Sequence, residues 1–343
     1  LPGNNKDNAM AAAATNRKNR PQYRLRRPIG FIAFQANVPV TIDLPRDYDY
    51  ETLGLRIVGA LNVTTAATSV RAEAPCQVVN RLEVVADGKN TIFNAPMWYP
   101  SMANYPRALL ESGARVTTPP TAATVANYNV EANGFIDFAT LDGIHPKDSN
   151  FRPSGLSLFQ LRCTFGAPGD SFVGGVVAAG AGLGLEVYSV QCVEQPATDG
   201  TYSSPIALRK VSTQRVPCQA TNAAQEIRLP AGNKIRSMVF RGEGATTAGE
   251  PSTAVINNIT AQNGVDVRFN LSAGQTRALN NADMGQITPG YYVLDFLQNG
   301  PALKKLSELW DCSNPAEPKA IINVTGGANN FVDCVITEYI TAS

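Results

Sequence analysis

The sequence predicts an all-β protein built from two tandem copies of one unit behind a basic arm. Three observations carry that expectation. Glycine, proline and β-branched residues are plentiful, charged residues make up only 17% of the chain, and long charged helical runs are absent. An internal repeat follows: Glu73–Phe93 (EAPCQVVNRLEVVADGKNTIF) and Glu250–Phe269 (EPSTAVINNITAQNGVDVRF) share one pattern. Each carries a Glu, a nearby Pro, a β-branched run closing on Asn, an alternating segment, a turn at Gly and a short segment ending in Phe. Charge is the third. Residues 1–30 hold seven basic side chains against Asp7 alone, so the rest of a chain of net charge +1 is mildly acidic.

The repeat extends to both sides. Thr41–Leu61 parallels Glu226–Gly244, each with a strand ending in Leu-Pro, a polar turn and a strand alternating apolar and basic positions. Ser157–Pro168 parallels Lys319–Asn329, and Leu185–Glu194 parallels Asn330–Tyr339. Four segments recur in one order. The period is far too long for a solenoid, so the unit is a duplicated domain, and 343 residues suit two domains.

In chain order, residues 1–28 read as a flexible arm with too little apolar surface to offset its ordering entropy. Ala9–Thr15 could supply a turn or two of helix there. The arm's basic residues Arg17, Lys18, Arg20, Arg24, Arg26 and Arg27, interleaved with Tyr23 and Leu25, suit an acidic partner: nucleic acid, an anionic membrane surface or a neighbouring subunit. The first unit spans 29–195. Ile29–Leu44 alternates up to Pro45, Leu53–Leu61 forms the next strand, and Val78–Val85 and Thr91–Phe93 flank the hairpin signal Asp87-Gly88. Pro106–Ser112, begun at Pro and closed by Gly113, reads as a short helix, and Tyr291–Asn299 with Leu303–Leu309 reads similarly in the second unit. Arg115–Asn129 is polar and Pro-containing, an exposed insertion loop. Phe172–Leu185 is Gly/Ala-rich, a flexible loop or packed turn too short to span a bilayer. Residues 196–204 have linker composition and 205–343 form the second unit. About eight strands per unit in two Greek keys make each a jelly roll. The expected fold is therefore all-β, two tandem eight-stranded jelly rolls (a double jelly roll) with short helices and a flexible basic N-terminal arm.

Chemistry-bearing constellations are missing. His145 is the one histidine, and it sits in a Pro-containing loop, GIHPKDSN. The six cysteines stand far apart with no C-x-x-C pair, which disfavours a zinc site and favours buried reduced thiols. Cytoplasmic assembly suits them better than a secreted disulfide scaffold. The polar N-terminal stretch lacks the apolar segment of a signal peptide. Asp47, Asp49 and Glu51 are the densest acidic cluster and read as a solvated turn. Asn62, Asn258, Asn270 and Asn323 fit the N-glycosylation pattern but read as turn or strand-edge residues. Trp98 and Trp310 read as core or inter-unit packing. No enzyme activity, cofactor or metal is expected.

With the duplication and the arm in place, the chain resembles the double-jelly-roll major capsid proteins of the lineage joining tailless, membrane-containing phages with adenovirus-like viruses. The resemblance covers Ile29 to the C-terminus and rests on two related eight-stranded units, a polar N-terminal arm and a large insertion in the first unit. It implies a homotrimer of pseudo-six-fold outline that tiles an icosahedral shell, with penton or minor capsid proteins as further partners. It also implies a basic arm turned inward to a membrane or the genome, and loops 115–129 and 172–185 as towers or inter-subunit contacts. The implied localisation is the virion capsid, assembled in the host cytoplasm. Two other readings stay open: a virion decoration, spike or carbohydrate-binding module, and a paired-jelly-roll hydrolase using Asp47, Asp49 and Glu51.

Overall fold

The computed structural model describes residues 22–103, 116–139, 150–194, 207–244, 249–285, 287–296, 309–312 and 317–341. The first unit contains β1 (Gln22–Ala33), β2 (Pro39–Asp43), β3 (Asp49–Thr65), β4 (Ser69–Val70), β5 (Val79–Ala86) and β6 (Asn90–Ala95). It continues with β7 (Val116–Thr118), β8 (Ala126–Asp137), β9 (Phe159–Phe165), β10 (Phe172–Val173), β11 (Val176–Ala179) and β12 (Gly184–Glu194). The second unit contains β13 (Ala207–Pro217), β14 (Asn222–Arg228), β15 (Lys234–Glu243), β16 (Ile256–Asn263), β17 (Asp266–Ser272) and helix α1 (Ala273–Met284). It closes with β18 (Tyr291–Asp295), β19 (Trp310–Asp311), β20 (Pro318–Val324) and β21 (Phe331–Thr341).

Sheet order exposes the duplication. In the first unit one sheet runs β1-β12-β3-β8 and the other β6-β5-β9-β2; in the second, the orders are β13-β21-β15-β18 and β17-β16-β20-β14. Numbering the eight principal strands of each unit from one to eight gives 1-8-3-6 facing 5-4-7-2 in both. That is the jelly-roll topology, used twice. Alternation places Leu53, Leu55 and Ile57 of β3 in the first core, with Leu82 and Val84 of β5 and Leu161 of β9 opposite. Met238 and Phe240 of β15 play the same part in the second core with Ile259 and Ile322. The Asp87-Gly88 turn takes positive φ at both positions (50° and 72°), matching the right-handed strand twist as that dipeptide allows.

Several expectations change. The arm is shorter than residues 1–28, because β1 begins at Gln22 and pairs with β12 from the Gln22–Glu194 register partner onward. Basic residues sit in this strand because it lies at a sheet edge, where charged side chains reach water. Phe172–Leu185 is not a loop: it holds β10, β11 and the start of β12, with β11 pairing β3. Its glycines turn the chain, Gly174, Gly175 and Gly182 having φ of 68°, 76° and 68°. Within 115–129, Val116–Thr118 and Ala126 onward are strand. Tyr291–Asp295 is strand rather than helix, a short apolar run whose periodicity does not separate the two. Helix α1 was not expected. Ser272 caps it in a reciprocal box with Gln275, and Gly285 follows its end. The helical readings at Ala9–Thr15, Pro106–Ser112 and most of Leu303–Leu309, the 196–204 linker, His145 and Arg17, Lys18 and Arg20 lie outside the described residues.

Candidate functional site

The two units meet along one edge. β13 of the second unit lies beside β6 of the first, parallel, through the pair Val211–Phe93, which fuses two sheets into one. The second unit's sheet is consequently buried on both faces. Cys334 and Ile336 of β21 point into its own core, whereas Val239, Val293 and Val335 join the first unit's core with Phe93, Met97 and Tyr99. Trp98 is the wedge here, 5% exposed, with its ring 5.4 Å from that of Tyr291. Tyr99 Oη lies 2.9 Å from Thr337 Oγ1 across the same junction. Trp310 instead packs inside the second unit against Phe296, so the two tryptophans are both packing residues at different places.

A charge cluster completes the junction. Arg241, on β15 and 2% exposed, donates from Nε and Nη2 to the two oxygens of Glu73 in the first unit, at 2.5 and 2.7 Å. Its Nη1 reaches Glu243 at 3.0 Å and Asp333 at 3.3 Å. Arg215 binds the same two acids from the cleft side, at 2.8 and 3.3 Å. Tyr291 Oη also donates to Glu73. Burial opposes Arg241 carrying its charge, but Glu73 outweighs it and the guanidinium stays ionised. Burial pushes the Asp333 carboxyl up despite Arg215 and Arg241, with Glu243 and Glu73 adding repulsion. Burial acts the same way on Glu243, but there the two arginines prevail and hold it down. A bidentate pair with both charges buried tolerates little displacement, so it fixes how one unit sits on the other. Above it a cleft of about 730 Å³ opens between the units, lined in part by Arg71, Arg81, Asn94, Thr213 and Arg215.

The sequence-predicted arm residues divide. Arg24 grips Glu51 through Nε and Nη2, both at 2.7 Å, and Arg27 binds Asp47 at 2.5 Å. Arg152 holds Asp49 at 2.7 Å. The hydrogen bond from Arg27 keeps the Asp47 carboxyl below its usual range. Thus the acidic cluster is not merely a solvated turn: two of its members clamp the start of β1 onto the β2–β3 corner. Arg24 and Arg27 are correspondingly occupied within the chain. Arg26 is exposed and has no ion pair among the described residues.

A third feature is the outer face of the first unit's β1-β12-β3-β8 sheet. Arg56 of β3 binds Glu131 at 2.8 Å and Glu186 at 2.9 Å, with Arg56 and Glu186 side chains 40% and 44% exposed. Beside them the Phe135 and Tyr188 rings meet edge to face at 6.5 Å. Tyr188 lies across Gly54, where a Cβ would come within 2.1 Å of the ring. Sequence reading missed Glu73, Arg241, Asp333 and Arg56. The available signal was a Glu heading the repeated stretch and an Arg at matching places after each Leu-Pro.

All six cysteines are free and buried, and burial pushes the Cys76 and Cys163 thiols up to about 12. Among the described residues no group of three His, Cys, Asp or Glu side chains is placed to hold a metal ion.

No family model matches the chain, and no curated protein matches it. Solved structures do. The crystal structure of the STIV MCP aligns at 15% identity and TM-score 0.68, covering 93% of this chain and 97% of that one. The PBCV-1 virus capsid model aligns at 13% identity and TM-score 0.60, covering 93% and 94%. The major capsid protein P2 from Bacteriophage PM2 aligns at 12% identity and TM-score 0.57, covering 93% and 97%. The likeness spans both units and establishes the double jelly roll as the fold.

Proposed function

We propose that this chain is a structural virion protein, a major capsid protein whose copies associate into a shell. The observation that carries the reading is the tandem topology itself. Two units of identical strand order, fixed rigidly by the Glu73–Arg241 pair, match capsid chains over nearly their whole length. A duplicated domain lets three chains present six similar edges, so the reading is a homotrimer of pseudo-six-fold outline that tiles an icosahedral lattice. Penton or minor capsid proteins would fill the places a hexagonal tile does not.

The arm, taken now as residues 1–21 with Arg17, Lys18 and Arg20, leaves from the clamped start of β1 and supplies charge for an inner membrane or genome. Six buried thiols suit assembly in a reducing host cytoplasm. A structural rather than enzymatic role fits the acidic cluster, since Asp47, Asp49 and Glu51 are each held by an arginine.

The test is the solution mass of the purified chain with negative-stain imaging of the same sample. The reading expects three times 36.5 kDa and hexagonal outlines or closed shells. A monomer at every salt concentration, with no lattice, overturns it.

A further inference from the structure

The two units carry the same sheet in different surroundings. On β15, Arg241 lies opposite Asp333 of β21; on β3, Arg56 lies opposite Glu186 of β12. Counted from the Leu-Pro before each strand, the two arginines fall at the same place. The register continues outward. Val211 of β13 faces Thr337, which faces Ser237, and Arg26 of β1 faces Val190, which faces Thr52. Arg26 therefore stands where Val211 stands. On the partner side Phe269 faces Ala261 as Phe93 faces Val84.

In the second unit this surface is covered inside the chain: the β13 edge meets β6, and Arg241 is buried. In the first unit the outer edge of β1 pairs with no described strand, and the outer edge of β17 is likewise unpaired among the described residues. Among the described residues, four of the seven large hydrophobic side chains that stand exposed lie on or beside these two edges: Tyr23 and Phe31 on β1, Val265 and Val267 at β17. Unpaired edges with exposed apolar side chains are templates for another strand.

We propose that β1 of one copy pairs, parallel, with β17 of a second copy, repeating between chains the β13–β6 contact made within one. This rests on the trimer reading above and names the contact that builds it. The contact is heterologous, so it closes a ring when its rotation matches the one relating the two units.

Because the native thiols are buried, an added pair at the contact reports it directly. The assembled protein carrying Arg26→Cys and Phe269→Cys, the places that Val211 and Phe93 hold within the chain, is treated with copper phenanthroline and run on a non-reducing gel. The expected result is a ladder ending at three chains. Each single variant, and Arg26→Cys combined with Ala224→Cys on the opposite edge strand β14, stays at one chain. A trimer that fails to cross-link through β17, or that cross-links through β14, overturns the pairing and leaves the trimer standing. A wild-type chain that never self-associates overturns the trimer reading instead. Val267→Asp, at an exposed position, gives a second measure: self-association should weaken by about tenfold or more, and unchanged association counts against the pairing.

Discussion

Arg241 and Arg56 occupy one position in two copies of one fold, yet the first is sealed and the second lies open. The sheet carrying Arg241 is buried on both faces because the first unit's Trp98 segment and Glu73 lie against it. The sheet carrying Arg56 is buried on one face, and its partners Glu131 and Glu186 come from its own strands. Duplication has thus kept an arginine–acid pair on adjacent strands while its job diverged. Inside the chain the pair orients two domains. On the outside it marks a face shaped for the same use.

The sharpest way to break the comparison is to truncate both arginines in unassembled protein. Arg241→Met leaves Glu73, Glu243 and Asp333 without their shared partner in a dry site, and should cost about 3–5 kcal/mol in urea unfolding. Arg56→Met removes half-exposed pairs and should cost no more than ~1 kcal/mol. Equal costs would mean the two sites are not differently solvated. Next in size, Trp98→Ala empties the wedge and should lose about 3 kcal/mol, whereas losses far below that would put the junction elsewhere.

The pH response sharpens the comparison further. Asp333 has a raised folded-state pKa, so the folded chain holds its proton longer than the unfolded chain. That contribution is present at low pH and is lost as pH rises through the folded value. The destabilisation caused by Asp333→Asn should therefore shrink as pH is raised from about 4 towards neutrality, read as the difference in Tm from wild type. A gap that widens over that range contradicts the assignment. Asp47 runs the other way. Its lowered pKa contributes stability above the ordinary carboxylate range that fades on acidification. Being half exposed, Asp47→Asn should shift stability by less than ~1 kcal/mol at neutral pH, the smallest effect here.

Much of this was legible in the chain. The Glu73–Phe93 and Glu250–Phe269 segments do become equivalent hairpins, and the Leu-Pro strands do become β2–β3 and β14–β15. Alternation survives translation into structure because each strand has one face in a core. What alternation cannot convey is the fate of the other face. Arg241 looks like a solvent-facing position in sequence, and only the docking of the first unit makes it buried. The basic run at Arg24–Arg27 misled for a related reason: charge density reads as an arm, but an edge strand with acids at the neighbouring corner accommodates it equally well. Glycine richness at Phe172–Leu185 reads as a flexible loop or a packed turn, and in the fold it serves tight reversals between short strands.

The most direct test of the central claim is backbone hydrogen exchange on the two edge strands β1 and β17, compared between dilute unassembled and concentrated assembled protein. The account predicts that amides of Gln22–Ala33 and Asp266–Ser272 slow together on assembly, while β13 and β6, already joined, change little. Assembly that leaves both edges exchanging at their dilute rates would contradict it.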